Sequence, residues 1–235
     1  MVRRIAIVPA RGGSKRIRNK NIRDFCGKPI IAHILEAAEQ SGLFDVVHVS
    51  TDSLEIQKVV EGLGLKVDFI RPKSLADDHT PIMPVLKFVT ESYASQGQQF
   101  DQVWLLMACA PLVKSFVLHE AANLFESAES KSSVLSICEY PAPIEWAFNR
   151  SSDGKLIPLH PGMNAIRSQD LGKKYFDAGV FAVFPATTVL QSEGAGSDKG
   201  FIGCVIPKEA AVDIDDEADW AFAELLYRSR SICEN

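Results

Sequence analysis

Nothing in this 235-residue chain approaches the ~20 consecutive apolar residues that cross a bilayer, and its first apolar run, Ile5 to Ala10, is shorter than that of a secretory leader. The expectation is a cytoplasmic protein with no membrane partner. Cysteine is scarce and unpaired. Cys26, Cys109, Cys138, Cys204 and Cys233 are odd in number, scattered and never spaced Cys-x-x-Cys, which argues against a disulfide framework or a zinc ribbon and for buried thiols. The five histidines, His33, His48, His79, His119 and His160, lack metal-ligand spacing and read as structural. A surplus of positive charge is missing too, and the net charge of −5 argues against a nucleic-acid partner. Repeats, low-complexity tracts and long linkers are absent, so the chain reads as one domain over 1–235.

What is present is an ordinary globular composition, 46% apolar and 23% charged, with its charge unevenly placed. Arg3 to Lys28 holds nine basic residues against one acid, whereas Glu209 to Asp219 holds six acids and no base. Basic loop and acidic turn could share one site.

The apolar pattern alternates strand and helix. Arg4 to Ala10 reads as a strand buried on both faces, and Ile30, Ile31, Ile34, Leu35 and Ala38 form a helical stripe that Gly42 closes. Val46 to Ser50 predicts a strand, 53–63 a helix, Lys66 to Ile70 a third strand and 81–95 a helix. Gln102 to Met107 follows as a strand, 115–128 as a helix and Ser133 to Cys138 as a strand. This succession implies a mainly parallel sheet between helices, a three-layer α/β/α fold. Residues 139–174 break the rhythm with four prolines and predict an inserted lobe of the kind that carries substrate contacts or dimer surfaces. Phe176 to Phe184 and Phe201 to Ile206 read as further strands. A closing helix over 215–229 is expected to bury Ala218, Ala221, Phe222, Leu225 and Leu226. Trp104, Trp146 and Trp220 read as packing residues, with Trp146 also a candidate for lining a pocket.

In an open parallel sheet, ligands gather at the carboxyl ends of the strands, which singles out the loop after the first strand. It reads Ala10-Arg-Gly-Gly-Ser-Lys-Arg-Ile-Arg-Asn-Lys-Asn21. Gly12 and Gly13 let backbone amides face an anion, Ser14 adds a hydroxyl, and Arg11, Lys15 and Lys20 add mobile positive charge, a combination suited to a polyphosphate. The spacing matches neither the P-loop nor the dinucleotide fingerprint. Near the other end, Asp213 and Asp215 are separated by one residue in an extended segment, so both point one way and can share a divalent cation. Capping of the last helix by Asp215 or Asp216 is the alternative reading.

These motifs resemble those of the cytidylyltransferases that activate nine-carbon 2-keto-3-deoxy sugar acids, the CMP-sialic acid synthetase family. The resemblance is carried by Ala10-Arg11-x-x-Ser14-Lys15-x-x-x-x-Lys20-Asn21, Ser50-Thr51-Asp52, Arg71-Pro72 and Asp213-Ile214-Asp215, and it spans nearly the whole chain. Where sialic acid synthetases carry Gln-Pro-Thr-Ser-Pro-Leu-Arg, this chain reads Met107-Ala-Cys-Ala-Pro-Leu-Val113. With Arg167-Ser-Gln-Asp170 and Phe176-Asp-Ala-Gly179, that segment is closer to the pseudaminic acid cytidylyltransferase branch.

The resemblance implies a glycosyltransferase-A-like nucleotidyltransferase fold and a homodimer paired through the lobe. It implies transfer of CMP from CTP to the anomeric hydroxyl of a nonulosonic acid, with Mg²⁺ on Asp213 and Asp215 and Asp213 a candidate base. Arg11, Lys15 and Lys20 would neutralise phosphate charge. Ala10, Gly12, Gly13, Ser14, Asn21, Arg71 and Thr80 would line the nucleotide, and Arg167, Gln169 and Asp177 would hold the sugar. N-acetylneuraminic, legionaminic and 3-deoxy-manno-octulosonic acids stay open as substrates, as does a non-catalytic nucleotide-binding homologue.

Overall fold

A computed structural model gives the protein's fold and describes residues 2–128, 132–197 and 199–233, with side chains to Arg230 in the last helix. In chain order the strands are β1 (Arg4–Pro9), β2 (Asp24–Phe25), β3 (Lys28–Pro29), β4 (Val46–Ser50), β5 (Gln102–Leu106), β6 (Ser133–Glu139), β7 (Phe148–Arg150), β8 (Leu156–Pro158), β9 (Tyr175–Pro185) and β10 (Phe201–Val205). The helices are α1 (Ile30–Ser41), α2 (Leu54–Gly62), α3 (Ile82–Ser95), α4 (Ser115–Ser127), α5 (Ala186–Leu190) and α6 (Glu217–Cys233). Gly42 ends α1 in the left-handed region at φ 61°, as a C-terminal glycine should.

Six strands form one sheet in the order β10-β6-β9-β5-β1-β4. All pairs are parallel except those of β9, which runs antiparallel to β5 and β6. Successive side chains of β1 point to opposite faces, and the core divides accordingly. Ala6 and Val8 pack with Ile31, Leu35, Ile56, Val60, Val117 and Phe125 on the α1, α2 and α4 side. Ile5 and Ile7 pack with Leu86, Val89, Tyr93 and Val189 on the α3 and α5 side. The expected three layers follow from this division. The sheet also sets the place of the site. The chain leaves β1 for β4 on one flank and returns to β5 on the other, so the carboxyl end of β1 is a switch point where a crevice opens.

Two expectations are corrected. Residues 66–70 form no strand. The segment is held by side chains instead: Phe69 stacks on His48 of β4 and Asp68 accepts a hydrogen bond from Tyr93 Oη of α3 at 2.6 Å. The last helix buries a stripe that shares only Leu226 with the expected one. Trp220 and Ala223 are buried and Leu226 and Tyr227 half-buried, whereas Ala218 and Ala221 are exposed, as are Phe222 at 53% and Leu225 at 65%. The winning face lies against Phe25, whose ring meets Trp220 and Tyr227 edge-on at 5.5 and 5.6 Å.

Residues 140–174 carry only the β7–β8 hairpin and single-turn helices. Trp146 packs within this stretch, its indole N–H donating to the Met163 carbonyl at 3.2 Å. Of the cysteines, Cys138 and Cys204 are buried, Cys26 and Cys109 half-buried, and all four are free; the side chain of Cys233 lies outside those described. Among the described residues no helix is long and apolar enough to cross a membrane.

Candidate active site

A cleft of about 350 Å³ opens at the carboxyl end of β1. One wall is the loop 10–21. Ala10 prolongs the β1–β4 ladder, its amide donating to the Ser50 carbonyl at 2.9 Å, and the Gly12 amide donates to Asp52 Oδ1 at 3.0 Å. A Cβ on Gly12 would stand 2.9 Å from Ser53 Cβ, so only glycine fits against the start of α2. Gly13 meets no such neighbour. Ile17, an apolar residue in a basic run, is 1% exposed and packs with Phe25, Ile30, Ile214, Trp220 and Ala223. Ile214 lies between Asp213 and Asp215, so one small apolar cluster pins the basic loop and the carboxylate pair to each other.

The loop's charges are not unopposed, as its sequence suggests. Arg11 Nη1 donates to Asp78 Oδ1 at 2.6 Å and to the Asp77 carbonyl at 2.9 Å, and Lys15 pairs with the same Asp78 carboxylate. These bonds hold Asp78 below the usual carboxylate range, Lys15 first and Arg11 next. Arg16 Nη1 lies 2.6 Å from Asp215 Oδ2 and Lys20 Nζ 3.9 Å from Oδ1. Asn21 Nδ2 donates to the Arg11 carbonyl at 3.0 Å and Asn21 Oδ1 accepts from the Cys109 thiol at 3.3 Å, tying the loop to the segment after β5. Burial pushes that thiol up to about 12, which favours its protonated form.

Asp213 and Asp215 both line the cleft. Desolvation, and then the charge of Asp215, raise Asp213 above the ordinary carboxylate range. A divalent cation between the two would relieve that repulsion, so the pair fits a metal. Among the described residues no three histidine, cysteine or acidic side chains converge to hold one, which leaves further ligands to substrate oxygens and water. Arg71 is 4% exposed, yet its Nε and Nη2 have no hydrogen-bond partner among the described residues. Thr80 lines the cleft, its hydroxyl and amide both bonded to Asp77 Oδ1.

Residues 5–134 match the cytidylyltransferase family. The chain belongs to that family. It is 37% identical to pseudaminic acid cytidylyltransferase of Campylobacter jejuni, over 97% of both chains, and 28% identical to CMP-N,N'-diacetyllegionaminic acid synthase of Legionella pneumophila, over 96% of both. Its fold is that of CMP:2-keto-3-deoxy-manno-octonic acid synthetase, whose complex with CTP superposes with a TM-score of 0.71 at 18% identity, covering 97% of this chain and 99% of that one.

Of the residues expected in this cytidylyltransferase's site, Arg11, Ser14, Lys15, Lys20, Asn21, Arg71, Thr80, Asp213 and Asp215 converge on the cleft, and Ala10, Gly12 and Gly13 shape its loop. Arg167 and Gln169 do not line it. Arg167 makes a bidentate pair with Asp170, at 2.8 and 3.2 Å, on the exposed surface of the stretch 140–174. Asp177 accepts the Gly179 amide at 2.8 Å, beside a bulge where Ser136 Oγ accepts the amides of Val180 and Phe181; Gly179, at φ 63°, reaches the cleft. Sequence reasoning missed Asp78, Arg16, Cys109 and Ile17. Only Ile17 carried a signal, as a lone apolar residue among bases.

Proposed function

We propose that this cytidylyltransferase joins CMP from CTP to the anomeric hydroxyl of a nonulosonic acid, pseudaminic acid first among them, and releases pyrophosphate. The observation that carries the reading is a basic loop and a carboxylate pair lining one cleft side by side, pinned by one apolar cluster. Arg11, Lys15 and Lys20 suit the triphosphate, exchanging their present acidic partners for phosphate oxygens. The Nε and Nη2 edge of Arg71, buried and without an acceptor among the described residues, has two adjacent donors that would match the two adjacent acceptors, O2 and N3, of cytosine. Asp213 and Asp215 would hold Mg²⁺, which when bound neutralises developing charge on the phosphates. The sugar oxygen attacks the α-phosphorus, the bond to the β-phosphate breaks, and the hydroxyl proton passes to a carboxylate, Asp213 in this reading. Pseudaminate is favoured by the segment Met107 to Val113, which lacks the Gln and Arg of sialic acid synthetases, and by the higher identity to the Campylobacter enzyme.

The same proposal includes a homodimer acting in the cytoplasm. Phe148, Leu156, Ile157, Leu159 and Ile166 are all exposed on the inserted stretch, an apolar surface suited to a second copy. Arg167 and Gln169, outside the cleft of their own chain, would then serve the partner's sugar. The four described cysteines are free thiols, as a reducing compartment keeps them.

The test is pyrophosphate release from CTP and Mg²⁺ with pseudaminic, legionaminic and N-acetylneuraminic acids, beside an Asp215→Ala control. Release with one sugar, lost in the control, supports the reading. CTP binding with no release from any sugar favours a non-catalytic homologue, and unchanged release in the control removes Asp215 as a metal ligand.

A further inference from the structure

Residues 51–53, at the end of β4, hold the two halves of the nucleotide-binding wall together. Thr51 is fully buried and its carbonyl accepts the Arg71 amide at 2.8 Å, which brings the segment 66–71 to the cleft although no strand carries it there. Ser53 caps α2 by accepting the Ile56 amide, and its Cβ is the atom against which Gly12 packs. Between them, Asp52 aims one oxygen at both loops. Its Oδ1 accepts the Gly12 amide at 3.0 Å and lies 4.0 Å from Arg71 Nη2.

The Arg71 guanidinium is buried, with Nε and Nη2 unpartnered among the described residues. An uncompensated buried cation is costly, and a single nearby carboxylate can offset that cost without consuming the donors. At 4.0 Å, Asp52 supplies opposite charge but no hydrogen bond, so it leaves the donors of the Arg71 edge unspent. Burial favours neutral Arg71 and Asp52 opposes that tendency, while Arg11 adds to it.

We propose that Asp52 is a positioning residue that sets phosphate loop and base-reading arginine in register through one carboxylate: its hydrogen bond fixes Gly12 and its charge keeps Arg71 in place. The inference rests on the cytidine-nucleotide reading of the cleft. Its two arms separate in two variants. Asp52→Asn keeps an amide oxygen for Gly12 and removes the charge beside Arg71, whereas Asp52→Ala removes both. Neither variant carries the charge, so the difference between them isolates the hydrogen bond.

The experiment is calorimetric titration of CMP and, separately, inorganic pyrophosphate into the full chain without divalent metal, with thermal melts of each variant. Asp52→Asn is expected to weaken CMP about tenfold, the size of a lost interaction with a buried charged group, while pyrophosphate stays within about twofold of wild type. Asp52→Ala is expected to weaken CMP similarly and to bind pyrophosphate about fivefold more weakly than Asp52→Asn. CMP binding unchanged in Asp52→Asn overturns the inference, as does equal weakening of both ligands in that variant. If Asp52→Ala does not fold, the ratio of CMP to pyrophosphate affinity in Asp52→Asn still decides. A wild-type chain that binds no cytidine nucleotide overturns the nucleotide reading itself, a different failure.

Discussion

The loop 10–21 and the stretch 140–174 are both long and largely irregular, yet they are held by different means. The first is fastened from several sides: a ladder bond at Ala10, a buried Ile17, an amide clamp at Asp52 and a side-chain tether from Asn21 to Cys109. The second holds itself by local pairs, such as Arg167 with Asp170, Lys174 with Glu145 and Trp146 with the Met163 carbonyl. A catalytic wall must be placed to within fractions of an ångström and therefore uses the core. A surface proposed to meet a second copy needs only its own shape, since the partner would complete its burial.

The largest effects should break that contrast. Asp215→Ala, on the fixed wall, is expected to lower pyrophosphate release about a thousandfold, and Arg167→Ala, on the self-held stretch, by about tenfold to a hundredfold. If the partner's stretch completes each site, an equal mixture of the two variants regains about a quarter of wild-type activity. Half the dimers are then mixed and each has one intact site. Recovery no greater than the mean of the separate variants would place Arg167 at the cleft of its own chain or outside the site.

Next comes the anchor. Ile17→Ala leaves every charged group of the loop in place and removes the side chain that joins it to Ile214. It should cost about 2–5 kcal/mol in denaturant unfolding, the range for truncating a buried isoleucine, and weaken CTP and metal binding together. Stability lost with CTP affinity intact would show that Ile17 fills the core without setting the wall.

The same contrast explains what the sequence made legible. Asp213-Ile214-Asp215 could be read from its two-residue period, and the basic loop from its place after an apolar strand, because both depend on local geometry alone. The α6 stripe could not. A helical period permits Ala218, Ala221, Phe222 and Leu225 as readily as Trp220, Ala223 and Tyr227, and only the position of Phe25 selects between them. Likewise Val67 and Phe69 alternate as a strand would, but Asp68 and Phe69 are claimed by Tyr93 and His48, whose places depend on how α3 packs against the sheet. Asp78 is one of two adjacent acids in a loop, and nothing local marks it as the partner of Arg11 and Lys15.

His48 Nδ1 lies 3.1 Å from Tyr93 Oη, which donates to Asp68, and this buried chain gives an effect with a defined pH window. Burial pushes His48 down to about 4, whereas an unfolded histidine titrates near 6.5. Between those values the unfolded chain holds a proton that the folded one refuses. Stability is therefore complete above pH 6.5 and is lost as pH falls toward 4, by about 3 kcal/mol at the acid end. Denaturant melts from pH 7 to pH 4 should show that loss, and His48→Gln should remove most of it. An equal slope in the variant would assign the acid lability to other groups.

The smallest effect sharpens the description of the catalytic wall itself. Asp78 pairs with both Arg11 and Lys15, so in the proposed reading a triphosphate would displace a carboxylate that already satisfies both cations. Asp78→Asn removes that competition while keeping an acceptor of the same shape. The KM for CTP is expected to fall about threefold at low salt, with kcat unchanged, because pairs this exposed are individually weak. Raising the ionic strength to about 1 M, where the screening length is roughly 3 Å, should shrink the difference between variant and wild type. A rise in KM would mean that Asp78 holds the loop in its binding shape, and the carboxylate would then belong with Ile17 and Asp52 among the groups that build the wall.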